Sequence, residues 1–457
     1  MSNEYSPRFI TSLIAAAFLA SCSSGDRAEH AREDLRTFDV AAEEPAALPR
    51  VTSKKSEWSV AGVVRGVTET TTSEPPGPDE LVPPPEPEKA RPQSGLLTAG
   101  DHDDLLNPDL YAKYAGRFLQ GSDRDLPFVD TRTRVSVKVV DAKGRPVPFA
   151  RVAVQRSGAP LRLVAASDGT ASFFPKFDAV PTRTTVSIKS PAGTASRSLD
   201  LSNGKSRQVA ISLPGPARSV SALDLALVVD TTGSMGDEMD YLQAELDSIV
   251  ARLEREAGNI DLRIGVILYR DEGDDYVVRA IPFESDVGSV RATLADQEAS
   301  GGGDTPEAVD RAVAAAERLQ WRPDAAKAML LVADAPPHDD GLQPTLAATQ
   351  RLRSQGVQIV PVAASGVDEG AEYMFRTMAA LTQGRYIFLT DDSGVGNPHA
   401  EPDLACYVVT RLDQLIARVL AGIVEGRRIE PAPTEVIRTV GDYDRGRCQL
   451  GAAVNKS

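Results

Sequence analysis

The feature that most constrains the fold of this chain is an apolar stretch that ends in a carboxylate and two hydroxyls. Residues 223–229 read Leu-Asp-Leu-Ala-Leu-Val-Val, and Asp230, Thr232 and Ser234 follow at every second position. Such a run predicts a strand buried on both faces of a parallel sheet. Open α/β sheets bind ligands at the carboxyl ends of their strands, which is where these side chains would lie. Their carboxylate and hydroxyl oxygens suit a hard divalent cation. The alternative for this stretch alone is an ordinary Ser/Thr/Asp helix cap.

The C-terminal half alternates strand-like and helix-like segments, which predicts an α/β fold with a doubly wound, mostly parallel sheet. Apolar residues between Met239 and Leu253 recur at helical spacing, and Ala308 to Leu319 is an alanine-rich helix. A last helix is predicted from about Cys406 to Val424. The further predicted strands are 264–268, 328–333, 357–362 and 386–389, with 277–281 pairing antiparallel to the first of these.

Three motifs make residues 220–425 resemble a von Willebrand factor A domain. Asp230-Thr-Thr-Gly-Ser-Met resembles the metal-ion-dependent adhesion site of that family, Gly301-Gly-Gly-Asp-Thr-Pro-Glu resembles its second metal loop, and Leu331-Val-Ala-Asp its third. The resemblance implies that the metal is Mg²⁺, Mn²⁺ or Ca²⁺, and that a protein partner completes the site with a carboxylate. The implied ligands are Asp230, Thr232 and Ser234 from the first loop, either Asp304 or Thr305 from the second, and Asp334, directly or through water.

Ligation rather than turnover is the function that this resemblance implies, so the chain is not expected to be an enzyme. Two other functions stay open, a metal-assisted hydrolase and a purely structural scaffold. Ser234, His338 and Asp334 would be the nucleophile and base of a hydrolase, but their spacing does not enforce the geometry of a catalytic triad.

Acidic loops follow four of the predicted strands. In a parallel sheet these loops reach the same edge as the metal site, so we expect a negative field that favours a cation and repels a generally acidic partner. The whole chain is also acidic, with 50 Lys and Arg against 65 Asp and Glu and a net charge of −15. Because it has no basic block, nucleic-acid binding is not expected. The four loops are centred on 271–275, 334–340, 367–369 and 391–393.

Residues 131–215 are predicted to form a small all-β domain. Valines alternate at 135, 137 and 139, and turns follow at 141–144 and 168–169. Gly144-Arg-Pro-Val, followed by Ala150-Arg-Val and Ser167-Asp-Gly, resembles the transthyretin-like sandwich of carboxypeptidase regulatory-like domains. The resemblance implies a spacer or attachment platform.

The N-terminus is predicted to be a targeting segment. An apolar stretch too short to cross a bilayer ends in Leu19-Ala-Ser-Cys22, which resembles the lipobox of bacterial lipoproteins. The resemblance implies a signal peptide at 1–21, acylation of Cys22, and a lipid-anchored location in the bacterial cell envelope, at the outer membrane. The acidic, proline-rich residues 22–95 are predicted to be a disordered tether, and 96–130 a docking segment whose helix begins near Asn107-Pro108.

Two cysteines remain after Cys22, and both lie near the C-terminus. Cys406 begins the last predicted helix, and Cys448 lies in a tail formed by residues 426–457. Outside the cytoplasm an even number of remaining cysteines predicts a disulfide that pins the tail to the domain; two unpaired thiols are the alternative.

Overall fold

The structure is a computed structural model that describes residues 95–303, 305–394, 399 and 401–449. The predicted signal peptide, Cys22 and all but the last residue of the predicted tether lie outside the described residues, as does Asp304. Within the described part, no helix combines the length and the apolarity needed to cross a membrane.

Strands and helices alternate through the second half of the chain, whereas residues 135–213 contain a succession of strands. The helices are α1 (Pro108–Gly121), α2 (Gly236–Ala257), α3 (Val287–Ala295), α4 (Val309–Arg318), α5 (Leu342–Gln355), α6 (Glu369–Thr382) and α7 (Leu412–Glu425). The strands are β1 (Thr98–His102), β2 (Val135–Asp141), β3 (Arg151–Val154), β4 (Leu161–Val164), β5 (Thr170–Phe173), β6 (Arg183–Ser190), β7 (Gly193–Asp200), β8 (Arg207–Leu213), β9 (Ala222–Asp230), β10 (Asp261–Tyr269), β11 (Val278–Glu284), β12 (Ala326–Ala333), β13 (Gln358–Ala363), β14 (Tyr386–Thr390), β15 (Tyr407–Arg411), β16 (Arg438–Val440), β17 (Tyr443–Asp444) and β18 (Arg447–Cys448).

A nine-stranded sheet lies at the centre of the larger domain, in the order β11-β10-β9-β12-β13-β14-β1-β15-β16. Strands β9, β10, β12, β13, β14 and β15 run in one direction, and β1, β11 and β16 run against them. The predicted mostly parallel α/β sheet is confirmed, including the antiparallel pairing of β11 with β10.

Side chains of β9 alternate between the two faces of this sheet. Leu225 and Leu227 pack in one buried cluster with α2, α3 and α7. Ala226 and Val228 pack in a second cluster with α4, α5 and α6. Because both faces are covered by helices, β9 is an apolar run and not an alternating one. The polar residues that follow Val229 lie where the strand reaches the edge of the sheet.

Residues 96–130 are more than a docking segment, because they contribute β1 to the middle of the central sheet. Every residue of β1 is buried, and the strand pairs antiparallel with both β14 and β15. A Cβ atom at Gly100 would lie 2.5 Å from the Phe388 ring, so only glycine fits at that position. The predicted helix is present as α1, where Phe118 stacks on Tyr373 of α6 with ring centroids 4.5 Å apart.

The prediction that the last helix begins at Cys406 is wrong. Residues 407–411 form β15, and the helix begins only at Leu412. The run Tyr407-Val-Val-Thr is rich in aromatic and β-branched residues, which favour strands. Its apolar character continues into α7, and this continuity conceals the boundary.

Residues 135–213 form two sheets that share one apolar core, in the orders β5-β2-β8 and β4-β3-β6-β7. A buried ion pair joins this β domain to the larger domain, since Arg353 at the end of α5 contacts Asp178 at 2.7 and 3.0 Å. Arg353 also donates to the carbonyl oxygen of Ser172. The side chains of Arg353 and Asp178 are 5% and 1% exposed, so the two domains meet in a desolvated contact.

The C-terminal residues are attached to the sheet by backbone pairing and by a covalent bond. Strand β16 pairs with β15 at the edge of the sheet. Cys406 and Cys448 form a disulfide across a sequence separation of 42 residues. Asn107 adds a further contact, because its side chain donates to the carbonyl of Gly446 and accepts from the amide of Cys448.

Candidate metal centre

The first predicted metal loop begins where β9 ends, at Asp230. Asp230 is fully buried, and its Oδ1 accepts hydrogen bonds from the amide of Thr232 at 2.9 Å and from the hydroxyl of Thr232 at 2.7 Å. The Ser234 hydroxyl lies 3.3 Å from the Thr232 hydroxyl, and Ser234 is exposed. The three oxygen-bearing side chains therefore form one row that leads from the buried strand end to solvent.

Backbone hydrogen bonds bring the second loop against the first and the third. Ser300 donates to the carbonyl of Thr231, and Gly233 donates to the carbonyl of Gly301. Further along the second loop, the backbone amide of Glu307 donates to the carbonyl of Pro336 at 3.0 Å. The three loops that the sequence motifs identified thus meet at the carboxyl edge of the sheet.

Glycine is required where the second loop crosses the first. Gly302 has a φ of +72°, and a Cβ atom there would lie 3.2 Å from Cβ of Thr232 and 3.0 Å from Oε1 of Glu307. Its amide donates to Oδ2 of Asp274 at 2.9 Å, which links the loop after β10 to the same assembly. A side chain at this position would strain the backbone and separate the loops.

Two carboxylates of the site are desolvated by burial. Among the described residues, Oδ2 of Asp230 and Oε2 of Glu307 are buried and have no hydrogen-bond donor. The buried Tyr269 hydroxyl lies near Asp230 outside regular hydrogen-bond geometry. Burial and the charge of Asp334 raise the pKa of Asp230 to about 7, against the hydrogen bonds from Thr232. Burial and the charges of Asp230 and Asp271 raise the pKa of Glu307 to about 9.

Glu307 is the residue of this site that the sequence prediction missed. Glu307 is 3% exposed, and the negative charges of four nearby aspartates help to raise its pKa; these are Asp230, Asp271, Asp334 and Asp274. Glu307 closes the second sequence motif, but an acidic residue just ahead of α4 is also expected to serve the helix dipole. Its burial depends on the contact between the second and third loops and could not be read from the motif.

The other predicted ligands occupy different positions around this centre. Asp334 follows β12 directly and is 7% exposed. Thr305 is exposed and precedes a cis proline, Pro306. Asp304 is outside the described residues, so the choice between Asp304 and Thr305 stays open. In the described part of the chain, no three His, Cys, Asp or Glu side chains form a metal-binding group; the candidate ligands include two hydroxyls.

The acidic rim predicted around the site is present, but arginines neutralise part of it. Asp392 accepts two hydrogen bonds from Arg438 at 2.8 Å. Asp339 lies 3.0 Å from Arg124, and Glu272 lies 3.0 Å from Arg311. Asp368 caps α6 through the amide of Ala371. The negative field around the centre is therefore weaker than the number of acidic residues suggested. The sequence analysis overestimated it, because the positions of the arginines could not be inferred from sequence spacing.

His338 lies beside Asp271 at this edge of the sheet. Its Nε2 atom is 2.7 Å from Oδ1 of Asp271, so that nitrogen has a carboxylate partner in the loop after β10. The Ser234 hydroxyl has a hydroxyl neighbour in Thr232. A Ser-His-Asp relay needs the histidine nitrogen to face the serine hydroxyl, and these contacts do not supply that arrangement.

Comparison with known proteins agrees with this architecture. Residues 224–397 match the family described as von Willebrand factor type A domain. The chain contains a von Willebrand factor A domain. The matched residues extend from β9 to β14 and include helices α2 to α6, the three converging loops and the candidate ligands of all three loops.

Two curated proteins are similar to part of this chain. The chain is 37% identical over 121 residues to the ariadne-like RING finger protein R811 of Acanthamoeba polyphaga mimivirus, which covers 26% of this chain and 11% of that protein. It is 28% identical over 123 residues to the alpha-protein kinase vwkA of Dictyostelium discoideum, which covers 26% of this chain and 20% of the kinase. The chain thus spans well under two thirds of the length of either relative.

Among solved structures, the conserved hypothetical protein BatB from Bacteroides thetaiotaomicron is similar over 45% of this chain and 99% of its own. The sequence identity is 16% and the TM-score is 0.30.

Proposed function

We propose that this chain is a lipid-anchored protein of the bacterial envelope that binds a protein ligand through a divalent cation in its A domain. The cation is Mg²⁺, Mn²⁺ or Ca²⁺, and the ligand contributes a carboxylate. The chain acts by binding and does not catalyse a reaction. Proteins with A domains often mediate protein–protein interactions, and the match over residues 224–397 supports the same general activity here.

The observation that carries the proposal is the buried oxygen Oδ2 of Asp230, which has no hydrogen-bond donor among the described residues. A buried carboxylate normally has a cation or several donors, because desolvation of an unpaired charge is costly. A hard divalent cation prefers oxygen ligands such as carboxylates and hydroxyls. Asp230, Thr232 and Ser234 would hold such an ion. The remaining protein ligands would be Asp334 and one residue of the second loop, Asp304 or Thr305.

The exposure of Ser234 supports a role in binding a partner. The site is buried at Asp230 and reaches solvent at Ser234, so an ion held there would be accessible from one side. A cation supplies an electrophilic centre that a partner carboxylate can bind. The partial pairing of the acidic rim with Arg124, Arg311 and Arg438 reduces the repulsion that an acidic partner would meet.

The envelope location rests on the lipobox-like Leu19-Ala-Ser-Cys22 and on the acidic, proline-rich stretch that follows it. In this proposal Cys22 carries the lipid, and residues 22–95 hold the folded domains away from the membrane. The β domain, which resembles carboxypeptidase regulatory-like domains in sequence, acts as a spacer. Its buried Arg353–Asp178 contact with the A domain suits a spacer that keeps a defined orientation.

Metal binding is tested by calorimetric titration of the purified chain with Mg²⁺ and with Mn²⁺. We expect saturable binding that Asp230→Ala abolishes. Asp275→Ala is the matched control, because Asp275 is an exposed carboxylate at the same edge of the sheet and should keep normal binding. Equal loss in both variants, or no binding by the unaltered chain, would refute the metal site.

The cellular part of the proposal needs separate measurements. Expression in a Gram-negative host with an alkyne-labelled fatty acid should label the wild-type chain and not the Cys22→Ser variant. Cross-linking in envelope preparations should then recover a partner only with Mg²⁺ present and only with Asp230 intact. Metal-dependent turnover of an ester or phosphate substrate would favour a hydrolase, and no effect of Asp230→Ala on any readout would favour a scaffold.

A further inference from the structure

A second candidate site lies between the two domains, at the opposite edge of the central sheet from Asp230. It is a cleft of about 630 Å³. On the A-domain side it is lined by the start of β13 at Gln358, by the residues just before β14, and by the end of α7. On the β-domain side it is lined by Ser136, Ser167 and Arg207, among others. Its volume is in the range of small-molecule binding sites.

The residues that line this cleft carry a net positive formal charge, although Arg427 and Arg428 pair with Glu425 and Glu430 outside the lining. Five arginines line it, against two carboxylates, which gives a formal charge of +3 (5 − 2). Both carboxylates already have partners: Asp168 is 3.1 Å from Lys138, and Asp103 accepts from the amides of Leu105 and Leu106. The chain as a whole is acidic, so this concentration of arginines is not explained by composition. The arginines are Arg134, Arg207, Arg385, Arg427 and Arg428.

Several hydrogen-bond donors in the lining have no acceptor among the described residues. Ser167 is 8% exposed, and its hydroxyl is buried and unpaired. Nη1 of Arg428 and Nε of Arg207 are likewise buried without an acceptor. Buried donors are nearly always satisfied in folded proteins, by protein groups, by ordered water or by a ligand, so a ligand in the cleft is one group that could pair with them. The three residues that carry these atoms come from both domains and line the same cleft.

The arginines on the A-domain side have acidic partners that lie outside the lining of the cleft. Asp101 lies 3.0 Å from Nη2 of Arg428 and 3.6 Å from Nη1 of Arg385. The side chains of these two arginines are only 15% and 12% exposed. Arg428 also pairs with Glu430, which lies 2.5 Å from its Nε atom, whereas the ion pair of Arg385 is with the shared Asp101 at the longer distance of 3.6 Å, so an anion in the cleft would complete the compensation of Arg385.

We propose that this cleft binds a soluble small molecule that carries two or more phosphate or carboxylate groups. Guanidinium groups present planar pairs of donors that match the oxygens of both groups. A ligand of this kind would accept hydrogen bonds from Arg385, Arg428 and Ser167, and from Arg207 across the cleft. It would contact both domains and fasten them together. The proposal does not depend on the metal site.

The test is isothermal titration calorimetry of the full chain, in metal-free buffer at low ionic strength, with diphosphate, with citrate and with glucose. We expect binding of at least one anion and none of neutral glucose. Diphosphate binding alone indicates a phosphate ligand, and citrate binding alone indicates a carboxylate ligand. The Asp230→Ala chain should bind equally well, which separates this site from the metal centre.

Charge-removing variants locate the binding. Each charge-assisted hydrogen bond contributes enough that Arg385→Gln and Arg207→Gln should each weaken binding by about tenfold. Arg162→Gln is the matched control, because Arg162 is an exposed arginine on β4 of the same β domain that does not line the cleft. Its binding should change by less than about twofold. Thermal unfolding without ligand identifies any variant that fails to fold. If Arg385→Gln does not fold, Arg207→Gln still tests the contribution of the cleft to anion binding.

Failure of both anions to bind the unaltered chain overturns the proposal. Equal weakening in Arg162→Gln and Arg207→Gln also overturns it, because it would show attraction to the general surface charge and not to the cleft.

Discussion

Asp224 and Asp230 lie on the same strand and are both fully buried, yet their surroundings are opposite. Asp224, near the amino end of β9, accepts hydrogen bonds from the guanidinium groups of Arg263 and Arg322 and from the amide of Arg322. At the carboxyl end, Asp230 accepts hydrogen bonds from the neutral donors of Thr232.

This comparison separates a structural carboxylate from a binding one. The negative charge of a buried carboxylate that pairs with two arginines is compensated, and removal of the carboxylate or of its partners leaves a buried charge without a counterion. A buried carboxylate held only by neutral groups stays under-compensated, and the raised pKa of Asp230 reflects this. The same residue type on one strand therefore supports stability at one edge of the sheet and is suited to cation binding at the other.

The largest expected effect is at the structural end. Asp224→Asn keeps the shape of the side chain but leaves Arg263 and Arg322 without their carboxylate, so the free energy of unfolding should fall by about 3 kcal/mol. Urea denaturation measures this. The control is Asp261→Asn, since Asp261 is an exposed partner of Arg322 and should contribute less than about 1 kcal/mol. Equal losses in the two variants would show that burial does not distinguish these carboxylates.

The metal-free protein should lose stability as the pH rises. The pKa values of Asp230 and Glu307 in the folded chain, about 7 and about 9, lie above the ordinary values of 3.8 and 4.5. The folded state therefore binds these protons more tightly, and the stability that they contribute is lost between the two sets of values. From about pH 5 to about pH 8 the free energy of unfolding should fall by several kcal/mol, because each group contributes about 1.4 kcal/mol per pH unit over which it is protonated in the folded state only.

The measurement is urea denaturation across this pH range, with and without excess Mg²⁺. A bound cation stabilises the ionised carboxylates and should remove most of the pH dependence. Stability that increases over this range without metal, or a slope that Mg²⁺ leaves unchanged, would contradict the assignment of Asp230 as a cation ligand.

Asp230→Asn should act in the opposite direction to Asp224→Asn. It removes a desolvated charge that has no counterion, so at about pH 8 without metal the variant should be more stable than the wild type by about 1 kcal/mol. Melting temperatures in chelator-treated buffer measure this difference. With Mg²⁺ the order should reverse, because only the wild type gains stability from binding. A loss of stability in both conditions would assign Asp230 a structural role like that of Asp224.

The smallest effect is expected for an acidic residue of the same edge that is not buried. The side chain of Asp275 is 89% exposed and lies 3.9 Å from Arg270. Asp275→Ala should change the free energy of unfolding by less than about 0.5 kcal/mol, with or without Mg²⁺. A larger change would attribute the behaviour of Asp230 to the acidic edge as a whole and not to its burial.

The parts of the fold that were predicted from sequence are those with a strong local pattern. The apolar runs at 223–230 and 328–333 appear as β9 and β12, and the alternating valines of 135–139 lie in β2. The three loop motifs were also recognised from the sequence. Such segments can be predicted because burial on both faces gives a run of consecutive apolar residues and burial on one face gives alternating apolar residues.

Strand β1 could not be predicted. Thr98-Ala-Gly-Asp-His contains few residues that favour strands, and its charged and glycine residues are typical of a loop. It becomes a strand because β14 and β15 offer unpaired backbone groups on either side, and because Arg428 and Arg385 compensate Asp101. These partners lie some 300 residues away along the chain, beyond any local pattern.

The sequence by itself determined the α/β class of the larger domain and the placement of Asp230, Thr232 and Ser234 at a strand end. Local periodicity and turn chemistry are sufficient for both. Only the tertiary structure decided which buried carboxylates have arginine partners, that Glu307 lies at the candidate metal centre, and that five arginines line the cleft between the domains. Charge compensation acts through space between residues far apart in sequence, and a linear pattern does not encode it.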